Sequence, residues 1–464
     1  MEKAKTIQHE LKQFLIEESM NITELSIATD INRGILSGVI NGNPPKVLSI
    51  KMLDTLTEYM KLPEGYYYHI YIEDCFREGA HGRRLRPFLL RCAAIGRTDC
   101  VEDIVNRLAD DLKQIGFIFD VGEEMYQLVY YEAAAVMYKC VVQTEKSNQS
   151  ERLGISYYRL FQMNRSDNKL GVKSAMQFIP YRHRIPEHLA LNGLLMLTHF
   201  FAVREELEEV EKYADELYSL SHAIYENKSW KVESFITERP FVYYYGQSYL
   251  LKATYYELTE NYEESRKWIT GYSDLSWLDD LDDDGKKEVK KFSFFAKANL
   301  LSIDVKTGNK DVLSEYVKLL RENESEIIKG ITALLESANK YKYYIDNTLS
   351  SFSDYLEDKT THVGMTGHYK KEFQILDYSN LNQKYAIYCF RKKEYSRGIA
   401  KLLDSMQDAV QIQSKESISK SMGLFEVFRA FASSKQIQQF NNICRKECKN
   451  EAETYGLDFN IFIY

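Results

Sequence analysis

The chain has 464 residues, 44% hydrophobic and 28% charged with mixed sign, and a formal net charge of −8. That balance excludes a disordered polyelectrolyte. It also excludes a protein that coats nucleic acid along its whole length, which would be basic, so any DNA contact must be local.

The opening MEKAKTIQHELKQ lacks the apolar core of a signal peptide. No apolar run reaches the about 18 residues that a membrane helix needs. Seven cysteines, an odd number at irregular spacing, read as reduced thiols in a cytoplasmic protein. Cys444 and Cys448 share a helix face, but no further Cys or His completes a zinc set beside them. The chain has only seven prolines and none after Pro240, so long helices can run uninterrupted.

In chain order, Ile7, Leu11 and Phe14 repeat at helical spacing and predict a first helix. The stretch from Met20 to Pro45 is more specific. Asn21 and Glu24 form a capping-box pair that starts a second helix. Leu25 faces inward, small Ser26 allows close approach, Asp30 takes the sharp turn and Ile31 plugs it. Asn32 caps a third helix, in which Leu36 and Val39 point to the core, and Asn41-Gly42 stops it. Ser49 caps a fourth helix with an apolar face of Leu53, Leu56 and Met60, and Leu62-Pro63-Glu64-Gly65 is a turn.

These positions resemble the helix-turn-helix of phage-repressor-like (XRE) regulators. The resemblance implies a DNA-binding domain over residues 1–65, with the third helix in the major groove. It implies double-stranded DNA as partner and Asn32, Arg33, Gly34, Ser37, Gly38, Asn41 and Lys46 as contact residues. The reading surface is thin, because two of these are glycines. Residues 1–62 carry seven Lys/Arg against eight Asp/Glu. A single head should bind weakly, so a homodimer is expected.

Residues 66–87, with four tyrosines and then Arg83, Arg84 and Arg86 beside Pro87, read as a linker with Glu73 and Asp74 as ion-pair partners. From residue 88 to 464 the chain reads as helix hairpins. Amphipathic pairs fall at 88–112, 194–220, 243–269, 292–320 and 382–406, with polar turns near 97, 205, 260, 308 and 393, and 124–142 has the same character. Irregular repeats of this length predict an all-α chain, a small helix-turn-helix domain followed by a right-handed TPR-like α-solenoid. One hairpin cannot bury its apolar face alone, whereas stacked hairpins can.

Three motifs fail on chemistry. Asp280, Asp282, Asp284 and Gly285 open like a calcium loop, but its twelfth position is Lys291 where the ion wants a bidentate Glu. The glycines of 362–369 lack the Lys-Ser/Thr ending of a phosphate loop. The nine histidines form no metal-spaced pair. No cofactor, metal or enzymatic activity is therefore expected.

A head of this kind joined to a long helical-hairpin array resembles the RRNPP group of peptide-pheromone receptors, which includes the PlcR, PrgX, NprR and Rgg regulators and the arbitrium receptor AimR. The resemblance implies a quorum-sensing type transcriptional regulator, with a short signalling peptide bound in the concave face of the repeats. The expected peptide-binding residues are Asn192, Tyr244, Gln247, Asn299, Tyr385 and Tyr388. The alternative is a Rap-like member acting by protein–protein binding.

Overall fold

The computed structural model describes residues 6–42, 46–77, 82–145, 147, 150–357 and 368–454, with backbone alone at 368–370 and 448–454. Among them are twenty-four α-helices and no strand. Pro44, Pro45 and most of the 362–369 glycine segment lie outside the described residues. No described helix is long and apolar enough to cross a membrane. Contacts divide the chain into two units, residues 1–164 with 173–185, and residues 165–172 with 186–464.

The first unit opens with α1 (Ile7–Glu17), α2 (Ile22–Thr29), α3 (Arg33–Asn41) and α4 (Ile50–Tyr59). Ile7, Leu11, Leu25, Ile31, Leu36, Val39, Leu53 and Leu56 are all buried, as the helical spacing predicts. The segment predicted to be a linker is not one. It folds into α5 (Tyr68–Phe76) and the first half of α6 (Gly82–Ala94), and Tyr67, Tyr68 and Tyr71 are buried. The hydroxyl of Tyr71 donates to the Leu48 carbonyl at 2.6 Å, and that of Tyr68 to Asp54 Oδ1 at 2.8 Å. Arg91 holds the other oxygen of Asp54 at 2.8 Å. These bonds tie α4 to α5 and α6, so one apolar core runs from Ile7 to Leu160. Arg86 pairs with Glu124 rather than with Glu73, which instead takes Arg107.

Two hairpins and two further helices complete this unit. Here α6 pairs with α7 (Thr98–Ala109), and α8 (Ile115–Gln127) pairs with α9 (Tyr131–Thr144); α10 (Glu151–Asn164) packs on α9. The helix α11 (Asn168–Phe178) is divided between the units.

The second unit repeats the hairpin. Its pairs are α12 (Glu187–Val203) with α13 (Leu207–Glu226), α14 (Phe241–Leu258) with α15 (Tyr262–Ser273), and α16 (Asp283–Lys306) with α17 (Leu313–Glu322). Then come α18 (Ile327–Tyr341), the short α19 (Asp346–Ser350) and α20 (Ser353–Glu357), and the pair α21 (His368–Arg391) with α22 (Tyr395–Ile412). The chain ends with α23 (Lys415–Phe428) and α24 (Ser434–Thr454).

One backbone device recurs at the turns. Gly96, Val129, Glu205, Glu260, Gly308 and Lys393 each have φ between 57° and 91° at the hairpin bend. A left-handed residue reverses the chain after the last helical turn. Val129 is the costly choice, because a β-branched side chain crowds its own backbone at φ 67°. It is also exposed. Val129→Gly is therefore expected to raise stability by about 1 kcal/mol in a urea titration. An unchanged or lower midpoint would contradict the strain.

The acidic loop before α16 works as a cap and an ion pair. Asp282 Oδ1 accepts from Gly285 N at 2.6 Å, and Asp280 meets Lys231 at 2.6 Å.

Candidate functional site

The head is built by capping. Asn21 Oδ1 accepts from Thr23 N and Glu24 N, and Glu24 returns the bond to Asn21 N at 2.8 Å. At the turn Asp30 is left-handed with φ 53°, and Ser26 Oγ donates to the Ile31 carbonyl at 2.6 Å, holding α2 to the turn. Asn32 Oδ1 accepts from Gly34 N at 2.8 Å and starts α3. Gly42, with φ 68°, ends it. Gln8 Nε2 donates to the Ile40 carbonyl, fixing α1 against α3.

Of the seven predicted DNA contacts, Asn32, Arg33, Gly34, Asn41 and Lys46 are exposed and Ser37 is half-buried. Gly38 is buried, so it belongs to the packing face and is withdrawn from the contact set. Asn41 Nδ2 donates to Ser37 Oγ at 3.1 Å, so each already satisfies part of the other. Lys46 Nζ lies 3.4 Å from the Gly34 carbonyl. That sets a second cation beside Arg33 at the positive end of α3, where anions bind best.

The second unit holds a different kind of site. The leading helices of its hairpins touch in the order α12, α14, α16, α18, α21, and the order closes because α21 also touches α12. An ion ladder of alternating sign fastens four of them. Glu257 on α14 meets Lys306 on α16 at 2.8 Å, Lys306 reaches Glu336 on α18 at 3.4 Å, and Glu336 reaches Lys384 on α21 at 3.7 Å.

The closing seam is made otherwise. Val203, Ile375, Leu376 and Ile412 form a small apolar cluster with Phe373 packed on it. Glu205 accepts from the hydroxyls of Ser414 and Ser417, the latter at 2.6 Å. A cavity of about 270 Å³ lies against this seam, with Arg204, Lys371, Glu372 and Gln411 among its lining residues.

Three ionisable groups of these helices act on one another. Lys329 on α18 is exposed, and Asp377 on α21 and His199 on α12 are half-buried. His199 meets Phe373 edge-on at 5.4 Å, and Phe373 and Asp377 share a face of α21 at i, i+4. Asp377 holds the Lys329 ammonium above its ordinary value against the effect of burial. Burial lifts the Asp377 carboxyl, with Lys329 pulling the other way. Burial, helped by Arg165 and Lys329, pushes His199 down to about 4.

The sign of the last shift gives a test. Native His199 refuses a proton that the unfolded chain accepts, so stability is lost as pH falls from 6.5 toward about 4. The slope from this group is at most about 1.4 kcal/mol per pH unit. His199→Gln should flatten urea midpoints compared at pH 7 and pH 5; equal pH dependence in both proteins would exclude His199 as its source.

Of the predicted peptide residues, Asn192 and Gln247 are half-buried. Asn192 lies two helical turns before His199, on the same face of α12. Asn299 is spent on the Tyr272 hydroxyl at 2.8 Å. Tyr244, Tyr385 and Tyr388 are corrected to core residues: all are buried, and Tyr388 OH accepts from Ile345 N at 2.8 Å.

No protein family, curated protein or solved structure matches this chain.

The residues missed in the sequence, His199, Lys329 and Asp377, did leave a signal there. Each is an ionisable side chain inside an otherwise apolar helical run, LLMLTHFF, IIKGITALL and FQILDYS.

Proposed function

We propose that this chain is a dimeric, cytoplasmic transcriptional regulator of the peptide-pheromone receptor type. In this reading α2 and α3 form a helix-turn-helix that contacts double-stranded DNA. The hairpins of the second unit form a TPR-like solenoid whose enclosed face takes a short signalling peptide.

The observation that carries the reading is the closed order of leading helices, with Lys329, Asp377 and His199 on three of them acting on one another. A short peptide brings an ammonium, a carboxylate and unpaired backbone groups, which suit Asp377, Lys329 with Arg165, and Asn192 with Gln247 respectively. The seam gives the ligand something to move, since a bound peptide acts only through its differential affinity for two conformations. Exposed Val427 and Phe431 offer apolar surface for self-association.

Calorimetric titration with short peptides encoded beside the gene tests the ligand. Lys329→Met should weaken a binding peptide by roughly tenfold or more, as loss of a charge-assisted hydrogen bond does. Equal affinity for both proteins would remove Lys329 from the reading.

A second reading has the N-terminal helices dock on another protein. Ile27 on α2 is 78% exposed, and the Ser37–Asn41 bond uses groups a base reader would need. Ile27→Asp separates the two readings. It should leave regulation and DNA affinity within a few-fold under the first and abolish regulation under the second.

A further inference from the structure

Away from the head and the ring, a cluster of unlike donors meets in the first unit. His69 comes from α5, and Arg97, Asp99 and Cys100 come from the start of α7. Arg97 Nη2 lies 2.8 Å from His69 Nε2, 2.8 Å from Asp99 Oδ2 and 3.3 Å from Cys100 Sγ. A guanidinium amino group carries only two hydrogens, yet this one faces three acceptors. Its neighbours cannot relieve it. Nε is bonded to Asp99 Oδ1 at 2.8 Å and Nη1 to the Gly65 carbonyl at 3.0 Å.

The acceptors are as close to one another as ligands on one ion. His69 Nε2 and Asp99 Oδ2 are 3.0 Å apart. Cys100 Sγ lies 3.9 Å from Asp99 Oδ2. Donor atoms of all three residues fall within 4.8 Å of one another. An imidazole, a carboxylate and a thiol are the donor set of zinc-class metals. Zinc holds nitrogen at about 2.0–2.1 Å, oxygen at about 2.0–2.2 Å and sulfur at about 2.3 Å, so the three need to close by about 1 Å onto the point that Nη2 holds. The His69 and Asp99 side chains are 59% and 50% exposed, which gives an ion a path in. Cys92 on α6 is a further thiol near Cys100.

We propose that His69, Asp99 and Cys100 form a divalent-metal site of the zinc class, in which the Arg97 guanidinium stands in for the ion. Binding expels the guanidinium and the Cys100 proton and leaves a dication balanced by one thiolate and one carboxylate. The ion would clamp α5 to α7.

Cobalt(II) is the probe, because a thiolate ligand gives it a charge-transfer band. The chelator-treated full chain is expected to develop that band with one ion per chain, and zinc should quench it. Cys100→Ser should lose the band, and His69→Ala should weaken binding at least tenfold. Arg97→Ala, which removes the competing cation, should tighten it at least tenfold. No band in the unaltered chain overturns the proposal, even if Arg97→Ala shows one, because the guanidinium is then the permanent occupant. A band that survives in Cys100→Ser also overturns it. Circular dichroism of each variant checks that it is folded.

Discussion

Arg33→Ala is expected to weaken DNA binding by about 5- to 150-fold per head, the range of one good side-chain contact to a base. The size follows from how little else the head offers. Among the predicted contacts, Gly34 has no side chain, Gly38 is buried, and Ser37 and Asn41 bond each other. Arg33 and Lys46 are therefore the two cations at the end of α3. A dimer applies the loss twice, so the effect on a two-site operator should be much larger than on a half-site. Salt separates the two modes of contact. If Arg33 touches phosphate, affinity falls about equally on all sequences and the slope of log K against log salt drops by about 1. If it reads a base, the loss is confined to the preferred sequence. Unchanged affinity on every sequence would remove α3 from the interface.

Arg159→Met is expected to destabilise the first unit by about 3–5 kcal/mol, the cost of leaving one partner of a buried ion pair unpaired. Arg159 on α10 donates to both oxygens of Glu123 on α8, at 3.0 and 2.9 Å, and the side chains are only 11% and 21% exposed. Glu123 also accepts from the Tyr138 hydroxyl on α9, and the guanidinium lies 4.1 Å from the centre of the Tyr126 ring. Three helices thus meet on one carboxylate, and methionine abandons that charge in a poor solvent. The urea midpoint should fall with the slope unchanged. Arg159→Met with Glu123→Leu should recover most of the loss, because no charge is then stranded. A single-variant loss below about 1 kcal/mol would show that water reaches Glu123.

The first four helices and the hairpin boundaries were legible in the sequence because local chemistry writes them. Asn21, Glu24, Asp30, Asn32 and Ser49 act within a few residues of where they stand, and each cap forms as its residue type predicts. The all-helical class follows from the same periodicity. The linker was misread because Tyr66–Pro87 looks polar and broken, whereas its tyrosines spend their hydroxyls on Leu48 and Asp54 across the fold.

The inner face was misread for a different reason. The leading helices α12 and α14 carry buried residues on most of their faces, so periodicity cannot separate a ligand face from the face toward the next hairpin. Tyr244, Tyr385 and Tyr388, expected at the peptide face, are core. The better signal was an ionisable residue within an apolar run. Closure of α21 onto α12 joins residues about 170 apart, and no local pattern encodes it.

The central claim joins a DNA-reading head to a peptide-sensing ring. It is tested most directly by fluorescence anisotropy of the full chain on DNA flanking its own gene, with and without a short peptide encoded beside it. The account predicts salt-sensitive, sequence-selective binding that the peptide shifts, with the shift abolished in Lys329→Met while peptide-free binding is retained. Absence of any sequence-selective binding across salt concentrations would contradict it.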